Sequence, residues 1–306
     1  MCPGQGAQKV GMGKDLAERF PAARETFARI DDALGVALSR IMWEGPEADL
    51  TLTHNTQPAI LAHSAAVWAV VKDRLGGTLR AGAGHSLGEY SAYVAAGALT
   101  AESAAAVVRR RGELMFEAGT RRPGAMAAVL GLDTQEVEAA CREASAGGEV
   151  AVAANLNAPD QTVISGDPGA VNRAGEGCKG RGAKRVIGLK VSGAFHSPLM
   201  EPAVAGLREA LAGATMRDPA VPVVANATAN PVTTAAEAKE RLADQLTAPV
   251  RWVECMRRAS ALVPGATFLE IGPGNVLAGL LKRIVPGAQA VTLGTADEVE
   301  RFLAGG

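Results

Sequence analysis

The sequence predicts an α/β fold, with a mostly parallel sheet flanked by helices and a smaller unit inserted into it. Short apolar runs alternate with amphipathic stretches over most of the 306 residues, the pattern of parallel strands joined by crossover helices. At Pro123-Gly124 the pattern changes to the order β-α-β-β-α-β within about 70 residues, the ferredoxin-like split arrangement. With 48% hydrophobic and 21% charged residues, a chain of this length buries a large core without staples.

Residues 1–12 read as a Gly-rich loop. Apolar residues at Leu16, Phe20, Ala23, Phe27, Ile30 and Leu34 then follow helical spacing. A second helix runs from Gln57 to Leu75 with Pro58 in its first turn. Residues 79–89 read as a short strand, a tight turn and a helix start, and that helix stops at Gly97. Another helix covers 102–118. In the inserted unit, strands are predicted at 125–132, 150–155, 162–166 and 185–191, and helices at 134–145 and 167–180. Beyond it come helices at 197–211, 235–246, 251–261 and 276–284, with strands at 221–225, 267–271 and 291–293.

The net charge of −1 gives no reason to expect nucleic acid or an anionic membrane as partner. Cys2, Cys141, Cys178 and Cys255 form no CxxC pair, so neither a metal site nor a disulfide framework is expected, and a cytoplasmic location fits. No apolar run reaches the ~18 residues of a membrane span, and the first residues lack the basic-then-apolar order of a secretion signal.

Gly84-His85-Ser86-Leu87-Gly88 fits G-x-S-x-G between a strand and a helix. There a serine sits on a strained turn, the flanking glycines admit neighbouring backbone, and the helix N-terminus favours developing negative charge. The competing reading is a Gly-rich turn with a capping serine. A serine nucleophile needs a base. Among the four histidines, His85 adjoins Ser86 and should point elsewhere, while His54 and His63 sit at a helix start. His196 follows a strand, where α/β active sites gather, but these residues alone leave it open between a base and a hydrogen-bonded loop histidine.

Further short motifs occur in one order. They are Pro3-Gly4-Gln5-Gly6-Ala7-Gln8, the stretch Gly84–Ala92, Arg111-Gly112, Gly124–Ala128, Phe195-His196, Gln245-Leu246 with Pro249-Val250, and Gly272-Pro273-Gly274. Together they resemble the malonyl-CoA:acyl carrier protein transacylase family and the related acyltransferase domains of fatty-acid and polyketide synthases, from residue 3 to about 294.

The resemblance implies an α/β-hydrolase-like domain of residues 1–122 and 193–306, a ferredoxin-like insert at 123–192, and an active site in the cleft between them. It implies Ser86 as nucleophile, His196 as base and then acid, and the N–H groups of Gln5 and Leu87 as oxyanion hole. It implies that Arg111 grips the malonyl carboxylate, and that the backbone carbonyl of Gln245, in place of an Asp, orients the imidazole. On that basis Gln245→Ala is expected to keep most activity. A planar guanidinium suits a carboxylate, although Arg109-Arg110-Arg111 alone would read as a solvated basic face.

Met115, one turn beyond Arg111, lines the acyl pocket or is plain core. Phe195 before His196, with Leu87 after Ser86, resembles the malonyl-selective pattern, in which the ring fills the space of an α-methyl branch. Glu89 is expected only to complement its helix N-terminus. The expected partners are malonyl-CoA and an acyl carrier protein. A monomer without metal or redox cofactor is expected. The resemblance also implies a buried strand ahead of the Pro3–Gly6 loop, of which only Met1 and Cys2 stand here, so either a misassigned start or a shortened chain is expected. The rival readings are an acyl hydrolase with the same Ser86–His196 pair and no need of Arg111, and a catalytically idle docking subunit of a synthase.

Overall fold

The computed structural model describes residues 1–75 and 77–305. The strands are β1 (Gly82–Ala83), β2 (Ala125–Leu130), β3 (Ala151–Ala158), β4 (Gln161–Gly166), β5 (Arg185–Gly188), β6 (Val223–Val224), β7 (Pro231–Val232), β8 (Phe268–Ile271) and β9 (Ala290–Leu293). They make a mixed α/β fold of small sheets among helices.

β1 pairs in parallel with β6, and β8 with β9, while β7 returns antiparallel along β6. Met1 and Cys2 connect the two parallel pieces. The Met1 amino group donates to Leu269 O at 2.6 Å, and Ile271 N donates to Met1 O at 2.8 Å. On the other side Cys2 N donates to Ala83 O and His85 N to Cys2 O, both at 3.0 Å. The backbone order is therefore β9, β8, residues 1–2, β1, β6, β7.

Residues 125–188 form a separate antiparallel sheet in the order β3-β4-β2-β5. The helices Thr134–Ala144 and Pro168–Gly180 supply the rest of its own apolar core, which includes Val129, Val137, Ile164 and Val171. β3 bulges between Ala153 and Asn155 and again between Leu156 and Ala158. Bulges turn a strand and re-aim its edge. Here β3 goes on to pair with the 245–250 segment: Leu156 N donates to Val250 O at 2.9 Å, and Val250 N to Ala154 O at 2.8 Å.

The main core is helical, built around the helices Thr53–Leu75 and Ala101–Arg121. The first of these starts four residues before Gln57, because its opening turn is tied by side chains: Asn55 Nδ2 donates to Asp49 O at 2.8 Å and Thr56 Oγ1 to Leu50 O at 2.5 Å. The helix predicted from 16 to 34 is two helices, Lys14–Arg19 and Pro21–Leu34. Pro21 lacks the N–H to continue the first and suits the first turn of the second. The short helices Leu38–Glu44 and Glu47–Thr51, strand β7 and the helix Ala296–Leu303 go beyond the sequence expectations. The last carries a capping box between Thr295 and Glu298, a signal present in the sequence. Among the described residues no helix is long and apolar enough to cross a membrane.

Candidate active site

Ser86 stands between β1 and the helix Gly88–Ala95 with φ 51°, left-handed backbone that a side chain rarely adopts. The glycines of the motif are sterically required. A Cβ on Gly84 would lie 1.9 Å from Gly88 backbone, and one on Gly88 would lie 2.2 Å from Cys2 O. Asn226, at the end of β6, locks the turn: its Oδ1 accepts Ser86 N–H at 2.7 Å and its Nδ2 donates to Gly84 O at 2.7 Å.

His196 also has positive φ, 56°, in a turn where Ser197 Oγ donates to Ala194 O at 2.6 Å. Its Nε2 lies 2.8 Å from Ser86 Oγ and its Nδ1 2.9 Å from Gln245 O. A carbonyl only accepts, so Nδ1 carries the proton and Nε2 offers its lone pair to the serine hydroxyl. Burial pushes the imidazole pKa down to about 3, with the charge of nearby Arg111 as the second cause. No carboxylate bonds to this ring among the described residues.

The helix Ala101–Arg121 separates its three consecutive arginines by rotation. Arg110 pairs with Glu113 and Glu117 and Arg109 with Glu113 on the outer face, while Arg111 is 1% exposed. Arg111 donates to Gln57 Oε1 at 2.6 Å, Gln245 Oε1 at 2.9 Å and Ser86 Oγ at 3.2 Å, and its guanidinium carbon lies 5.8 Å from the Tyr90 ring centre. Those hydrogen-bond partners are neutral, and among the described residues no carboxylate lies within ion-pair distance. Glu89 acts on the guanidinium only at a distance, through Gln245, so no carboxylate bonds directly to the positive charge held beside the serine.

Gln245 does more than offer its carbonyl. Its amide Nε2 donates to Glu89 Oε2 at 2.7 Å and to Ser86 O at 3.1 Å. The expected carbonyl contact with His196 is present, and the side chain in addition bridges Arg111 and Glu89. Glu89 is also more than a helix-end charge. It is fully buried, and its Oε2 also accepts Asn226 N–H at 2.9 Å. Burial pushes its carboxyl up to about 7, against the two N–H donors and the Arg111 charge, which pull the other way.

The Pro3–Gly6 loop reaches the site through Gly4, which packs on the His85 carbonyl, and through Pro3, which packs on Gly272. Neither Gln5 N–H nor Leu87 N–H donates to an acceptor among the described residues. Phe195 is buried in the main core, next in sequence to His196. Met115 is buried behind Gln57, whose Nε2 donates to its Sδ at 3.3 Å. His85 turns away from the serine, as expected, bonding Asn157 at 2.8 Å and packing on Trp252. Gln57 and Asn226 went unrecognised in the sequence. An Asn directly after the apolar run Val223–Ala225 was the available signal, because strand ends gather site residues.

A strained serine that donates to a neutral imidazole and accepts from a guanidinium is equipped for acyl transfer through a serine ester. The acyl transferase domain family matches residues 1–299. A malonyl CoA-acyl carrier protein transacylase of Bacillus subtilis is 45% identical over 298 residues, 97% of this chain and 93% of that protein. The malonyl-CoA:acyl carrier protein transacylase of Xanthomonas oryzae superposes with a TM-score of 0.94 at 42% identity, covering 99% of this chain and 96% of that one. A malonyl-transacylase solved in complex with a type II PKS acyl-carrier protein gives 0.94 at 42% identity, covering 99% and 98%. The chain belongs to the acyl transferase domain family and is an acyltransferase.

Proposed function

We propose that the chain moves a malonyl group from malonyl-CoA to the phosphopantetheine thiol of an acyl carrier protein, for fatty-acid or polyketide synthesis. The observation that carries this is Arg111, a buried guanidinium without a carboxylate partner among the described residues, 3.2 Å from the hydroxyl that His196 holds. A neutral acyl group would leave that charge unanswered, whereas a malonyl carboxylate would accept its N–H groups.

In the first half-reaction Ser86 Oγ attacks the thioester carbonyl and its proton passes to His196 Nε2. The N–H groups of Gln5 and Leu87 receive the oxyanion, a contribution of about 3–4 kcal/mol per donor in such sites. The C–S bond breaks, and the CoA sulfur leaves with the proton from His196. In the second half the carrier thiol gives its proton to His196 and its sulfur attacks the ester. Ser86 Oγ leaves and regains the proton. The Gln245 carbonyl holds the ring in the required tautomer throughout. The malonyl carboxylate would also offset the Arg111 charge that weakens His196 as a base, so that bound substrate raises the basicity needed for attack.

In this reading Met115 steadies Gln57 behind the guanidinium, and Phe195 limits the space beside the base. The finer description of the fold is a hydrolase-like part, 1–122 and 193–306, around a ferredoxin-like insert at 123–192; the β3-β4-β2-β5 order supports the insert. The test is intact-mass measurement after mixing with malonyl-CoA. A malonyl adduct that forms on the wild type, is absent from Ser86→Ala, and is discharged by a carrier protein is expected. Turnover to free malonate without a carrier would indicate a hydrolase instead.

A further inference from the structure

We infer that Glu89 is a positioning residue for acyl transfer, one buried carboxylate that fixes the serine turn, the imidazole support and the guanidinium together. Oε2 accepts both Asn226 N–H and the Gln245 side-chain amide, at 2.9 and 2.7 Å. Asn226 in turn holds the backbone of Gly84 and Ser86 at 2.7 Å each. Gln245 holds His196 by its carbonyl at 2.9 Å and Arg111 by Oε1 at 2.9 Å. Ser86, His196 and Arg111 are thus each one residue removed from Glu89.

Two N–H groups converge on Oε2 and favour the ionised form, whereas Oε1 is buried without a hydrogen-bond partner among the described residues and is where the carboxyl takes up a proton as pH falls. The titratable and charged groups that act on Glu89 or feel its charge are Arg111 from the helix Ala101–Arg121, Tyr90 and Tyr93 from its own helix, and Cys255 from the helix Trp252–Leu262. The phenol and thiol pKa values are pushed up by burial, leaving those groups neutral, so Glu89 and Arg111 are the charged pair of the set. When His196 takes the serine proton, a second positive charge forms near Arg111. The carboxylate behind Gln245 offsets it, the service that a directly bonded Asp gives in other serine enzymes.

This inference uses the Ser86–His196 chemistry proposed above, and its test separates the two. Purified wild type, Glu89→Gln, Glu89→Asp and Ser86→Ala are reacted with p-nitrophenyl acetate and, separately, malonyl-CoA, and the rate of Ser86 acylation is followed by intact mass across pH. For Glu89→Gln the rate should fall with both reagents, by roughly 10- to 100-fold, as for lost hydrogen bonds to a charged group. KM for malonyl-CoA should change little. The wild-type rate should rise with pH through about 7, as Glu89 loses its proton, and Glu89→Gln should lack that limb. Glu89→Asp keeps a charge and should recover part of the rate. A Glu89→Gln enzyme with the wild-type rate and limb would overturn the inference. So would a wild type without the limb, which also decides the matter if Glu89→Gln does not fold. Acetylation of Ser86 without malonylation would instead overturn the malonyl reading and leave this inference standing.

Discussion

The antiparallel sheet of residues 125–188 and the cluster around Ser86 are built on opposite rules. In the sheet, order comes from repetition. β2 pairs with β4 over six consecutive residues, and the side chains beneath are apolar, Val129, Ile164 and Val171 among them. Around Ser86 the strands are two residues long, two backbone positions are left-handed, and the buried contacts are polar bonds among residues 84, 86, 89, 111, 196, 226 and 245. The first region spreads its stability over many interchangeable contacts. The second concentrates its order in a few specific polar bonds, so equal changes in volume should have very unequal consequences.

Arg111→Ala should produce the largest contrast. Breaking the buried charge–carboxylate contact costs about 3–5 kcal/mol, so malonyl transfer should drop by hundreds- to thousands-fold, and acetyl transfer far less. Equal losses in kcat/KM for malonyl-CoA and acetyl-CoA would reduce Arg111 to scaffolding. Gln245→Ala comes next. It leaves the carbonyl on His196 but removes the links to Arg111 and Glu89, and kcat/KM should fall by roughly 10- to 100-fold. Wild-type turnover in that variant would restore the simpler view that only the backbone of Gln245 matters.

Phe195→Ser should act on selectivity rather than speed. Overpacking by one methyl costs about 1–3 kcal/mol, so relieving it should lower the malonyl over methylmalonyl ratio of kcat/KM by about tenfold. An unchanged ratio would make Phe195 plain core. The smallest effect on chemistry belongs to the sheet. Ile164→Val, fully buried between Ala127 and Ala153, should lower stability by about 0.5–1.5 kcal/mol in urea unfolding. It should leave kcat/KM per folded molecule untouched, and a change in rate would show the two regions to be more tightly coupled than their cores suggest.

The same contrast decides what could be read in advance. The strands and helices of 125–188 followed from period and composition, because a repeating pattern is what builds them. The serine turn followed from five residues, because its glycines answer to sterics that act locally. His196 stayed open until its motif was set beside the others, since its contacts are with Gln245 and Ser86, 49 and 110 positions away. Gln57 and Glu89 gave no sign of their contacts, because a buried Gln or Glu in an apolar helix looks like any other until its partners are known. The short helices Leu38–Glu44 and Glu47–Thr51 were missed for another reason: each has barely a turn or two in which to show a period.

The overshoot of β3 has a practical consequence for exchanging parts between relatives. Residues 123–192 look like a cassette, entering and leaving the rest at neighbouring points, since Gly124 packs against Ala194. Yet β3 forms backbone bonds with Val250, five residues from the carbonyl on His196, and Asn157 at its far end holds the ring of His85 beside Ser86. A donor cassette therefore brings its own edge to the 245–250 segment and its own partner for residue 85. Chimeras that swap 123–192 alone should keep the inner core of the cassette but disturb its packing on the main core, where Met126, Ala154 and Val163 sit, and misalign His196, whereas chimeras that carry 245–250 along with the cassette should keep the alignment.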